Sequence, residues 1–136
     1  MKITLTVAGA APFVLGDDAG GCPIVDGFRP RQRRLVRSQA LFRRAYRWNR
    51  AGFNLENRLE FVVERTFGTR EAALGFMASH ADAVPVAGTL TLHDLSAAGQ
   101  TKRSLPCAVV EGVECVEHVG VSCKFRYAVA GNGAWQ

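Results

Sequence analysis

No run of about 18 consecutive apolar residues occurs in the sequence, so no segment is long and apolar enough to span a bilayer as a helix. A Gly-x-Ser-x-Gly elbow is missing, as is a glycine-rich phosphate loop closing on Lys-Ser or Lys-Thr. The glycines between residues 16 and 21 lack the strand-to-helix setting of a dinucleotide fingerprint, and none of the three histidines sits in a recognisable catalytic motif. The expectation is therefore a non-enzymatic protein with no catalytic residue and no cofactor.

Cys-x-x-Cys pairs are also lacking. The four cysteines, Cys22, Cys107, Cys115 and Cys123, are expected as small buried hydrophobes in a reducing compartment. Cys107, Cys115, His118 and Cys123 carry the one metal-like spacing, with seven, two and four residues intervening. Three thiolates and an imidazole would suit tetrahedral zinc, but these intervals match no common knuckle or ribbon, so no metal is assigned. His80 is expected at a helix end that favours partial positive charge, and His93 is expected to face water.

Lysine is scarce, three against fourteen arginines. Acid is absent altogether between residues 29 and 50, where nine arginines fall: Arg29, Arg31, Arg33, Arg34, Arg37, Arg43, Arg44, Arg47 and Arg50. That stretch carries +9 and leaves eight cations against twelve acids, −4, on the rest of a chain whose net charge is +5. Arginine favours planar bidentate contacts with carboxylate or phosphate. A codon bias toward arginine gives the same ratio. The asymmetry points to a partner that is nucleic acid, an anionic membrane surface or the acidic face of another subunit.

What is present reads as one domain over 1–136, with an Arg-rich arm or loop at 28–57 inside it. Ile3, Leu5 and Val7 alternate with Thr4 and Thr6, the pattern of a half-buried strand. The same stretch, from Lys2 through an apolar run to Ala8-Gly9-Ala10, also has the outline of a signal peptide, a reading the alternation disfavours. A second strand is expected around residues 13–15, after which glycines and prolines give turn chemistry as far as Gly27. In the arm, Leu35, Leu41 and Tyr46 hold no clean period, so an extended arm or irregular strands are predicted.

Beyond the arm the signal strengthens. Leu59, Phe61, Val63 and Phe67 share one parity, opposite to Arg58, Glu60, Glu64 and Thr66, as in an antiparallel strand with one wet face. Thr69 caps a helix expected over 70–80, with Ala73, Phe76, Met77 and His80 on one stripe and Pro85 beyond its end. Leu90 and Leu92 alternate with threonines in another strand, and two long strands follow over 103–116 and 121–130, joined near Gly120. In the last, Val121, Cys123, Phe125, Tyr127 and Val129 share a face. The fold class is α+β or mostly β, an antiparallel β-sandwich or barrel with one flanking helix.

Arg43, Arg44, Tyr46, Arg47, Trp48 and Arg50 are the candidate interaction residues, interleaving aromatics with guanidinium groups. This combination serves protein-protein contact first, a solvated face second and nucleic-acid binding third. Glu60, Glu64, Glu111, Glu114 and Glu117 are the acids expected to face such an arm on an identical neighbour.

The run Asn57-Arg58-Leu59-Glu60-Phe61-Val62-Val63-Glu64-Arg65-Thr66-Phe67, the helix with Glu71-Ala72-Ala73-Leu74-Gly75-Phe76, then Gly88-Thr89-Leu90-Thr91-Leu92 and the closing Tyr127-Ala128-Val129-Ala130-Gly131 resemble tail components of tailed phages and prophages. The likeness covers residues 41–131 and is one of pattern and element order. It implies a structural subunit of tail-tube or distal-tail type, built as a sandwich or barrel beside one helix. It further implies homo-oligomeric rings, with arms reaching between subunits and to other tail proteins, no membrane partner, and a passage from cytoplasm to virion or phage-like particle. The alternative is a small nucleic-acid-binding module using residues 42–50.

Overall fold

The computed structural model describes the backbone of residues 1–40, 46–94 and 101–136 and, among these, side chains outside 26–29, 33–40, 46–55, 94, 101 and 132. In chain order the elements are β1 (Lys2–Thr6), β2 (Phe13–Asp17), β3 (Ile24–Ala40), β4 (Tyr46–Thr66), α1 (Arg70–Ala83), β5 (Ala87–Asp94), β6 (Thr101–Val119) and β7 (Ser122–Asn132). The strands pair antiparallel in one sheet of order β2-β1-β5-β6-β7-β4-β3.

Alternation decides which face each strand buries. Ile3 and Leu5 of β1, Leu15 of β2, Leu59, Phe61 and Val63 of β4, Leu90 of β5, Leu105 of β6 and Phe125, Tyr127 and Val129 of β7 form one apolar cluster. Phe61 and Tyr127, opposed in register, stack with ring centroids 5.2 Å apart. The expected alternations at 59–63 and 123–129 hold, and the return strand at 13–15 runs to Asp17. Gly88 sits where β5 crosses β1 so closely that a Cβ would lie 2.5 Å from the carbonyl oxygen of Thr6. The β6–β7 hairpin turns through Gly120 and Val121, and the positive φ of 59° at Gly120 is one that glycine adopts without strain.

The sheet curls until its two edges meet. Asp17 N donates to Cys22 O at 2.8 Å, and Glu64 N donates to Pro23 O at 3.0 Å, tying the end of β2 and the turn after it to β4. Arg65 shares the inward parity of Leu59, Phe61 and Val63, and its Nη2 donates to Leu15 O at 3.1 Å. An inward arginine is thus one of the clasps between β2 and β4. The curled sheet with one helix against it is the mostly β architecture that the sequence predicts.

α1 begins where Thr69 Oγ1 accepts from Ala72 N at 3.2 Å, with Glu71 in the first turn against the positive end of the helix dipole. It ends at Val84, ahead of Pro85, most of a turn later than the spacing predicts. Ala73 and His80 are buried, and Phe76 and Met77 pack half-buried against the core. Phe76 lies 5.0 Å from Phe67 and 5.5 Å from Phe125, centroid to centroid, and His80 lies 6.2 Å from Phe13 of β2. The helix therefore covers the end of the curl formed by β2 and the first half of β7.

Three expectations are corrected. His80 is not a favourable cation at the helix end: it is buried, shares a hydrogen bond with the Tyr127 hydroxyl, and is driven down to a pKa of about 4, first by burial and then by the Arg65 charge. His93 does not face open water but is half-buried, with Lys2 and Lys102 opposite it in register, and burial and these two cations lower its pKa. Only Cys22 and Cys123 are buried, whereas Cys107 and Cys115 are exposed. Cys107 stands at a bulge of β6 opposite β5 with φ 54°, where the alternation that would have turned it inward is broken.

Candidate functional site

An acid-free, arginine-dense stretch such as residues 29–50 gains little by burying a face. β3 and β4 pair continuously, but β4 pairs with β7 only from Glu56 onward. Residues 33–40 of β3 and 46–55 of β4 are therefore held by β3–β4 pairing with no third strand among the described residues, over a length of roughly 25 Å at ~3.3 Å per residue. What the sequence reads as an extended arm or irregular strands is, over its described backbone, a two-stranded ribbon. It is irregular in one respect: between Val36↔Phe53 and Ser38↔Trp48, β3 advances two residues while β4 advances five, so β4 bulges over 49–52.

Of the six candidate interaction residues, Arg43 and Arg44 lie outside the described residues. Tyr46, Arg47 and Trp48 stand opposite Ala40, Gln39 and Ser38 near the distal end of the ribbon, and Arg50 stands in the bulge; their side chains lie outside the described set.

The ribbon joins the sheet at a fixed base. Asn57 is buried at 1% exposure, accepts from Gln32 Nε2 at 3.0 Å and donates to Gly133 O, tying both ribbon strands to the C-terminal segment. Gln136 exchanges two backbone hydrogen bonds of 2.8 Å with Ser104 of β6, which sets residues 133–136 across this end of the curl. Between them opens a cavity of about 370 Å³ lined by Pro30, Arg31, Gln32, Asn57, Arg103, Ala134 and Trp135. Among the described residues neither Arg31 nor Arg103 has an acid within ion-pair distance. Sequence reasoning missed this pocket because Arg103 and Trp135 are far from Arg31 in the chain and carry no motif. Their only signal is register, which sequence does not print.

The expected acids stand on the outer face of β4 and β6, and three already hold partners. Glu111 pairs with Arg58 at 3.2 Å, Glu114 with Arg126 at 3.2 Å and Glu117 with Lys124 at 3.1 Å. Glu60 and Glu64 have no ion pair among the described residues. A second hollow, about 280 Å³, lies at this other end of β4 and β7, lined by Glu64, Glu117, Val119, Ser122, Cys123 and Lys124.

The metal-like set does not converge. Cys115 Sγ donates to Glu117 O at 3.5 Å, His118 Nε2 donates to Gly120 O at 2.8 Å, Cys123 turns into the core and Cys107 stands on the β5 side of β6. Among the described residues no three His, Cys, Asp or Glu side chains are grouped as a metal site requires, and no helix is long and apolar enough to cross a membrane.

No family model matches the chain, and no curated protein matches it. Among solved structures, it is similar to a chain in the tail of an empty GTA particle, computed with helical refinement and C6 symmetry. The TM-score is 0.50 at 9% identity, over 99% of this chain and 92% of that one, so the likeness is one of fold and runs nearly end to end.

Proposed function

We propose that this chain is a non-enzymatic structural subunit of a phage-like tail, of tail-tube or distal-tail type, which self-assembles into rings and docks to neighbouring ring proteins. The supporting observation is the fold likeness to a chain in a C6-symmetric tail, which leaves almost no part of either chain unmatched. A projecting ribbon suits this role, because a two-stranded arm without a core of its own gains by lying on a neighbour. Arg43, Arg44, Tyr46, Arg47, Trp48 and Arg50 are the residues we assign to that contact, and the chain passes from the cytoplasm into the particle on assembly. Immunogold microscopy of particles from producing cells tests the reading. Label along or at the tip of tail-like particles is the expected result, and label confined to unassembled protein rejects it.

The nine acid-free arginines keep a second reading in play, a nucleic-acid module using residues 42–50. It predicts binding of single-stranded oligonucleotides that is tight at low salt and collapses at moderate salt, measured by mobility shift.

A further inference from the structure

α1 is pinned by backbone bonds on both sides and tied in the middle by one side-chain bond. Phe67 N donates to Val121 O at 2.9 Å just before the helix, and Val110 N donates to Val86 O at 2.8 Å just after it. Between these pins, among the described residues, the bond shared by His80 and the Tyr127 hydroxyl is the one hydrogen bond or ion pair that joins the helix to the sheet. The remaining contacts are apolar or of ring type: Phe76 against Phe67, Phe125 and the Arg65 guanidinium, His80 against Phe13, and the buried Ala73 and Val84. Gly68, just before the Thr69 cap, sits where a Cβ would meet nothing within 4 Å, so the chain entering the helix is free to turn.

The tie holds only while His80 is neutral. A guanidinium donates and cannot accept, so Arg65, which acts on both His80 and Tyr127, offers the Tyr127 proton no acceptor. His80 Nε2 takes that proton, which places the ring's own proton on Nδ1. A second proton on the ring turns Nε2 into a donor, strands the hydroxyl proton and sets an imidazolium beside a guanidinium. Nothing nearby offsets this. Arg65 on β4 has no acid within ion-pair distance among the described residues, and its Nε is buried without a hydrogen-bond partner. β2 faces His80 with Phe13, α1 with Phe76 and β7 with Phe125 and Tyr127, while the buried thiols of Cys22, ahead of β3, and Cys123, on β7, border Tyr127. No other charge among the described residues acts on the imidazole. We propose that α1 is an acid-released lid: protonation of His80 lifts residues 68–85 off the end of the curl and uncovers Phe13, Phe67 and Phe125, while the strands stay paired. The inference rests on contacts within one chain and is independent of the tail reading.

Hydrogen exchange of the full chain, read by mass spectrometry at about pH 7 and pH 4 and corrected for intrinsic rates, tests the lid. An imidazole that titrates at about 4 when covered and at the ordinary 6.5 when exposed makes opening about a hundredfold more favourable over this interval. Protection of residues 70–83 is expected to fall by that factor and to stay below that of β7 at both pH values, because the helix opens without the sheet. His80→Gln still accepts the Tyr127 proton but cannot be charged, and should hold the helix at the lower pH as firmly as at the higher. Tyr127→Phe removes the same tie from the sheet side and is expected to lower helix protection already at neutral pH, a second route should His80→Gln fail to fold. Equal protection of helix and β7 at both pH values overturns the proposal, since α1 then leaves only with the whole fold. So does a helix equally protected at the two pH values, a fall that persists in His80→Gln, or a Tyr127→Phe variant whose helix protection is unchanged.

Discussion

Phe76 stands between Phe67, Phe125 and His80 and carries the Arg65 guanidinium 5.0 Å above its ring, so one side chain joins α1 to β4 and β7. Truncation to alanine removes those contacts and leaves a void that the sheet cannot follow inward. Phe76→Ala is expected to cost about 3 kcal/mol, read from urea unfolding, and an unchanged midpoint would refute the packing role. His80 sets a second test, in pH. Its folded pKa of about 4 lies below the ordinary 6.5, so the unfolded chain binds the extra proton between these values. Stability from this residue is full above pH 6.5 and declines as pH falls toward 4, by up to roughly 3 kcal/mol at 1.36 kcal/mol per pH unit. His80→Gln should flatten the unfolding free energy across that window, and an unaltered pH profile would show that another group titrates there. Arg65 marks a limit of reading residues singly. Its inward parity is visible beside Leu59, Phe61 and Val63, but a charged residue in that row reads as a break in the pattern. Only the carbonyls of Val14 and Leu15, fifty residues away, turn it into a clasp.

Elements with one wet face announce themselves, and those with two do not. β4 from residue 58, β5, β7 and α1 were all legible because burial on one side forces period two or 3.6 on the sequence. β3 was not, since over the ribbon it pairs with β4 alone and no core selects a parity. Bulges removed further signal: register shifts at residues 24–29 and 36–38 of β3 and near Cys107 of β6 each cancel an alternation that would otherwise place a side chain. The candidate pocket was invisible for a related reason, since it is assembled by the non-sequential order β6-β7-β4-β3 rather than by any local spacing. Legible as charge but not as shape, the arm carries its own prediction. Arg43→Ser/Arg44→Ser/Arg47→Ser should weaken self-association in analytical ultracentrifugation while moving the melting temperature little, the expectation for a charge run that the sequence reads as an interface rather than as core. An association state identical to the parent at equal concentration and salt would return these arginines to a solvated face.

At the scale of the whole molecule, two forces are available to the self-assembly proposed for this chain. The first is electrostatic, from +9 on residues 29–50 against −4 on the rest of the chain. The second is apolar, from valines left outside the core: Val86 at 74% exposure just before β5, Val109 at 44% on β6, and Val119 at 66% at the end of β6. Salt separates the two, because raising it from about 0.1 to 1 M shortens the screening length from roughly 10 to 3 Å while leaving apolar burial intact. The monomer itself should tolerate the change, since its core is hydrocarbon and its ion pairs are on the surface. Sedimentation velocity across that salt range is therefore expected to show assemblies dissociating to folded monomer, with far-ultraviolet circular dichroism unchanged. Association that persists or strengthens with salt would assign the interface to the exposed valines instead, and Val86→Ser with Val119→Ser would then be the variant that dissolves it.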